Sequence, residues 1–235
     1  MHSFVGKMEA GYNGSENHQK QDQERAYELL RAAHGERTTY PSIRVENRIS
    51  ELLVLLERGT PKTKILVICT LRTVLEDKPW IVRRHKTELY PAVRSLLETS
   101  ANYIKSAASD LMIDMIQSSP PDDSELSVIV DTITSITGGH APLQADIARM
   151  LTVIGAFDDD HVYQQSISWL KTRLATDDPP PNRIIWHICS VILQLTAKER
   201  TVPGEISEKL VQLQNVDYPE EVENAIDTCL KSIKE

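Results

Sequence analysis

The sequence predicts an all-α protein, a right-handed α-solenoid of about five antiparallel helix pairs behind an N-terminal lead-in helix. Three observations carry this. Helix-start signals recur about every 40 residues. Pro61, Asn102, Pro142, Pro181 and Pro219 each stand just ahead of an apolar helical run, in steps of 41, 40, 39 and 38 residues. Proline suits the first turn of a helix, where its missing N–H would have no partner anyway. Aromatic residues make up only 5% of the chain and glycines number nine, fewer than a long β-rich domain uses. Finally, within the runs apolar residues recur at i, i+4 and i+7, the signature of one helix face. A start signal at a near-fixed period implies one supersecondary unit copied along the chain. No single copy buries both its faces, whereas stacked copies do.

The elements follow in order. Residues 1–17 are rich in Gly, Asn and Ser, with only scattered apolar residues, and read as a disordered tail. Residues 18–34 form the lead-in helix, with Ala26, Leu29, Leu30 and Ala33 on one face. The five pairs are 43–58 with 61–76, 88–98 with 102–117, 124–137 with 141–156, 160–174 with 182–197, and 204–214 with 219–233, so 18–235 is one solenoid domain. Overlaying the first helices aligns Leu55, Leu96, Ser135, Leu174 and Leu213. The second helices align Val67, Ala108, Ile147, Trp186 and Ala225, then Leu71, Met112, Leu151, Ser190 and Cys229, then Val74, Met115, Ile154, Leu193 and Ser232. The same face is apolar in nearly every copy. Breakers fall where hairpins need them: Gly59–Thr60, Gly138–Gly139 and Asp177–Pro181 inside pairs, and Pro79, Pro120–Pro121 and Pro203–Gly204 between pairs.

The bulk numbers exclude several classes. A net charge of −8 is wrong for a general nucleic-acid binder. Three widely spaced cysteines (Cys69, Cys189, Cys229) read as small apolar residues of a reducing compartment, so the protein is expected in the cytoplasm or nucleus. No apolar stretch reaches the length of a membrane span, and residues 1–10 lack a secretory core. No Cys/His cluster, phosphate-cradling glycine loop or nucleophile elbow occurs, so no metal, no cofactor and no enzymatic activity are expected.

The stretch Glu88–Ile116, ELYPAVRSLLETSANYIKSAASDLMIDMI, resembles a HEAT repeat. Pro91 sits early in its first helix, Asn102 in its turn, Ile104 and Lys105 open its second helix, and Ala107 and Ala108 follow. The stretch Leu55–Leu75 is similar to an armadillo unit. The likeness covers 43–233 in period and pairing but one repeat in motif. The third copy has Gln144 and the fourth Asn182 where the pattern differs. The resemblance implies a binding scaffold whose second helices line the concave side. Arrays of this length also resemble TOG-type tubulin-binding domains, but the tryptophan those carry in the first intra-repeat turn is absent from Gly59–Thr63.

On that reading, the second-helix face opposite the core carries recognition. It reads Leu66, Cys69 and Thr73; Asp110 and Asp114; Asp146, Arg149 and Val153; Ile185, Ile188 and Ile192; Asn224, Asp227 and Lys231. Residues 184–195 are apolar almost all round and must be covered on both sides, either by the fold itself or by a partner helix or peptide. Residues 60–105 hold nine Lys or Arg against four acids, and 199–235 hold nine acids against four bases. The cluster Arg83, Arg84, His85 and Lys86 is either a solvated loop or a docking patch for an acidic group. Trp80 beside it is either a partner anchor or a core cap. The acid runs Asp122–Asp123 and Asp158–Asp160 read as loop ends and helix caps. His187 reads as a partly buried histidine or a base. The expected function is a non-enzymatic protein-interaction scaffold that binds a partner helix or peptide, as part of a larger complex. The alternative is binding of an RNA or DNA backbone through residues 60–105.

Overall fold

A computed structural model describes residues 5–35, 44–136, 141–175 and 179–234, with side chains from residue 16 onward. Among these residues there are twelve α-helices and no strand. They are α1 (Val5–Ala33), α2 (Ile49–Arg58), α3 (Pro61–Asp77), α4 (Trp80–Arg84), α5 (Lys86–Thr99), α6 (Asn102–Ser118), α7 (Asp123–Ser135), α8 (Ala141–Ile154), α9 (Asp160–Leu174), α10 (Asn182–Ala197), α11 (Gly204–Leu213) and α12 (Glu220–Lys234).

Two layers result. The first helices stack as α2, α5, α7, α9 and α11; the second helices stack as α3, α6, α8, α10 and α12. Each helix also packs on the other member of its own pair, so one hydrophobic core runs the length of the stack. Burying that core is the main favourable term, because neither layer alone could take its apolar face out of water. Helix α1 extends the second layer by packing on α3, with Ala26 and Leu29 fully buried. Arg58 donates to Asp22 at 2.8 Å and Arg25 to Glu51 at 3.1 Å, clipping α1 to α2. The tail expected over 1–17 is helical from Val5 onward, which corrects that expectation; residues 1–4 lie outside the described residues. So do the Gly138–Gly139 turn, Asp177 and Asp178.

Local chemistry sets the helix ends. Thr60 caps α3 by accepting from the Thr63 N–H at 3.3 Å, with Pro61 at the first helical position. Asp122 and Asp159 cap α7 and α9 by accepting from Glu125 N–H at 3.0 Å and Val162 N–H at 2.9 Å. The acid runs expected at helix starts therefore do cap helices. Tyr90 donates its hydroxyl to the Ser119 carbonyl at 2.8 Å, and Tyr218 to the Pro180 carbonyl at 2.8 Å. Burial raises both phenols above their ordinary values, so both remain neutral donors. Of the aligned first-helix set, Ser135 is exposed, and Ile133 is buried two residues earlier.

The second-helix register differs from the proline alignment by one residue in the fifth copy and by two in the fourth, where the shift changes which face is buried. Pro61 is the first residue of α3, Pro142 the second of α8, Pro181 the N-cap of α10, and Pro219 lies just before α12. None of these places needs an intrahelical N–H partner, so proline fits each equally well and marks the helix start only to within a residue or two. Counted from the first helical residue, the seventh positions are Val67, Ala108, Ile147, Ile188 and Ile226, all fully buried. The eleventh are Leu71, Met112, Leu151, Ile192 and Leu230, all buried as well. On α10 the core face is thus Ile185, Ile188 and Ile192. Trp186, placed in the core by the proline alignment, is 47% exposed.

Candidate functional site

The ninth residues of the second helices are Cys69, Asp110, Arg149, Ser190 and Thr228, and none is buried. They form a row along the solvent face of the second layer. Its first half is an ion ladder. Arg72 on α3 donates from Nη1 to Asp110 at 3.0 Å and from Nε to Asp114 at 2.7 Å, both on α6. Arg149 on α8 donates to the other Asp110 oxygen, and Ser106 on α6 donates to Asp146 on α8. Asp110 therefore joins three successive second helices, holding a guanidinium on each side. Planar guanidinium groups suit this shared-carboxylate geometry, which a lysine would not reproduce. Burial, then the charges of Arg72 and Arg183, hold Arg149 below its ordinary arginine value.

The second half of the row is apolar and open. Trp186, Ser190 and Leu193 of α10 face Glu221, Asn224, Ala225 and Thr228 of α12 across a groove of about 220 Å³. The buried thiol of Cys189 lines it too, and Cys229 donates to the Cys189 carbonyl at 3.4 Å. His187 is half-buried beside Trp186. Burial, followed by the charges of Arg183 and Arg149, keeps its imidazole below its ordinary value and hence neutral near pH 7. Further along the same layer Tyr103 of α6 is 53% exposed.

The structure divides the candidate residues into three groups. Asp110, Asp114 and Arg149 come together in the ladder. Ile185, Ile188 and Ile192 are fully buried, which corrects their assignment as a partner-binding face: the stack itself covers them. Trp80, Arg83, Arg84 and Lys86 lie on α4 and the start of α5, at the junction of the first two pairs. There Ile81 and Val82 of α4 are buried while Trp80 is 49% exposed and both arginines are exposed. Lys86 lies 3.8 Å from Asp122, and His85 lies 3.6 Å from Glu88. Of the nine bases in 60–105, Arg72, Lys78, Lys86 and Arg94 all sit against carboxylates of the chain.

Arg72, Trp186, Leu193 and Arg183 had no place among the candidates. A signal for the ladder existed: Arg72, Asp110 and Arg149 lie 38 and 39 residues apart, opposite charges one repeat length from one another. The groove had a signal only once α10 was in its correct register.

Among the described residues no helix is long and apolar enough to cross a membrane, and no group of His, Cys, Asp or Glu is placed to hold a metal ion. No family model matches the sequence, and no curated protein matches it. The structure is similar to a designed armadillo repeat protein solved in complex with the peptide (KR)4. The TM-score is 0.58 at 12% sequence identity, over 90% of this chain and 91% of that one. Two stacked layers of paired helices, a single core along them and this likeness establish the fold as an armadillo-like α-solenoid.

Proposed function

We propose that this protein is a non-enzymatic scaffold that holds an extended peptide or a helix of a protein partner along the solvent face of its second helices. The carrying observation is the continuous row from Cys69 to Thr228, which ends in a groove walled by the exposed Trp186. An exposed tryptophan beside a groove is a costly surface for a monomer, and it is the residue type most enriched among binding hot spots. The fold supports the reading by analogy, since the designed relative is a peptide-bound solenoid.

The test is site-specific photo-crosslinking. A benzoylphenylalanine at Ser190 or Tyr103 is expected to capture a partner, whereas one at Glu57, exposed on the first layer, is not. Equal capture from all three positions, or capture from Glu57 alone, would overturn the proposal.

A further inference from the structure

We propose that the α8–α10 face takes an acidic side chain from an extended partner peptide, with a neighbouring apolar residue of that peptide seated against Trp186. The inference rests on the reading of the second-helix face as the docking surface, and it names the chemistry of what docks.

The argument is one of unequal neutralisation. The acids that α6 and α8 present on this face are already engaged within the chain. Asp110 is held by Arg72 and Arg149, Asp114 by Arg72, and Asp146 accepts from Ser106. A basic peptide laid along α3 to α8 would meet carboxylates whose places are taken by the protein's own guanidinium groups. The cations are engaged less completely. Arg183, in the first turn of α10, is exposed and forms no hydrogen bond or ion pair with a described residue. The buried Nε of Arg149 has no partner among the described residues. Between them stands His187, and both arginines act on it as repelling charges.

Trp186 sits one turn beyond Arg183 on the same helix, because residues three apart share a face. A peptide carboxylate at Arg183 would thus have its next apolar side chain near the indole, over a groove floored by Leu193 and Ala225. Glu221 on the far wall confines the acidic residue to the α8 side. An arginine–carboxylate pair beside an aromatic ring is shielded from water and gains from charge-assisted hydrogen bonding.

The experiment measures fluorescence anisotropy of two labelled peptides, (Glu-Leu)4 and (Lys-Leu)4, on the full chain in about 0.15 M salt, where charges beyond roughly 8 Å are screened. The acidic peptide is expected to bind at least about tenfold more tightly, a margin of about 1.4 kcal/mol. Arg183→Glu should abolish or reverse the preference without moving the melting temperature, since Arg183 is exposed. Trp186→Ala should weaken whichever peptide binds. Equal or stronger binding of (Lys-Leu)4, or a preference untouched by Arg183→Glu, would overturn the inference. If neither peptide binds while the crosslinker at Ser190 captures a partner, the acidic specificity fails and the docking face stands. If the crosslinker fails as well, both fail.

Discussion

Arg72 and Asp110, 38 residues apart in the chain, meet at 3.0 Å across the interface between two successive second helices. On the far side of the same carboxylate lies Arg149, 39 residues further on. One aspartate thereby couples three helices that share no sequence neighbourhood. The side chains are only partly shielded, 43% exposed for Arg72 and 31% for Asp110. Each pair is consequently modest in strength and the network matters more than its members.

The first prediction concerns this ladder. Arg72→Ala and Asp110→Asn should each lower stability by about 1 kcal/mol, and the double variant by less than the sum. Chemical denaturation of the four proteins of the cycle measures the coupling. Strict additivity would show that the ladder is a surface ornament without energetic linkage.

The corrected register of α10 gives the second. Ile188→Ala should cost about 2–5 kcal/mol, because a fully buried side chain leaves a cavity in a close-packed core. Trp186→Ala, at an exposed position two residues away, should change the melting temperature little. Thermal melts followed by circular dichroism decide it; the opposite ranking would restore the proline-based alignment.

A third prediction uses His187. Its folded-state value is lowered below the ordinary 6.5 by burial and by Arg183 and Arg149. The unfolded chain therefore takes up a proton first as the pH falls, so this contribution to stability is full above about 6.5 and is lost on acidification below it. Melting temperatures at pH 7.5 and 5.5 should converge in His187→Gln relative to the wild type. Identical pH dependence in the two proteins would refute the role. The carboxylates with lowered values, such as Glu51 held by Arg25, act only at lower pH, below their ordinary 4.5.

Gly59 supplies the fourth. It ends α2 with φ at −69°, a conformation open to any residue, so its need for glycine is steric. A Cβ there would lie 2.3 Å from the Leu55 carbonyl and 2.6 Å from Thr63 Cγ2. Gly59→Ala should destabilise by about 1–3 kcal/mol through overpacking of the α2–α3 turn. A neutral result in urea denaturation would show that the turn opens freely.

The helix pairs were legible in the sequence because their period, apolar faces and capping residues all point the same way. The boundaries of α9 and α10 agree to the residue, and most others fall within one or two. What escaped did so for physical reasons. Helix α4, WIVRR, is too short to show a period. The first half of α1 lacks an apolar stripe, so nothing distinguished it from a tail. The faces of α10 were interchanged because a helix apolar nearly all round gives no periodic signal of its own, and because the copies were aligned on prolines that stand at different places relative to the helix start. Once the register slipped, Trp186 read as core and Ile188 as surface. The ladder depends on side chains from three repeats, so single-helix patterns could not reveal it.

Among the described residues the helices of the two layers pack neighbour to neighbour, with α6 and α8 in the middle of the second layer and α12 at its end. Among the described residues no helix at one end of the stack packs on a helix at the other, so the chain need not close long loops to fold, and topology favours a fast rate. The same arrangement means that opening is graded rather than all-or-none. Amide protons of α12, which has a packed second-layer neighbour on one side, should exchange with solvent well before those of α6, whose two flanks the ladder fastens, and of α8, packed between α6 and α10. The Trp186 groove lies where that gradient is steep, between a firm wall on α10 and a fraying one on α12. A ligand bound there would act as a splint, and its affinity would register as slowed exchange in the last helix.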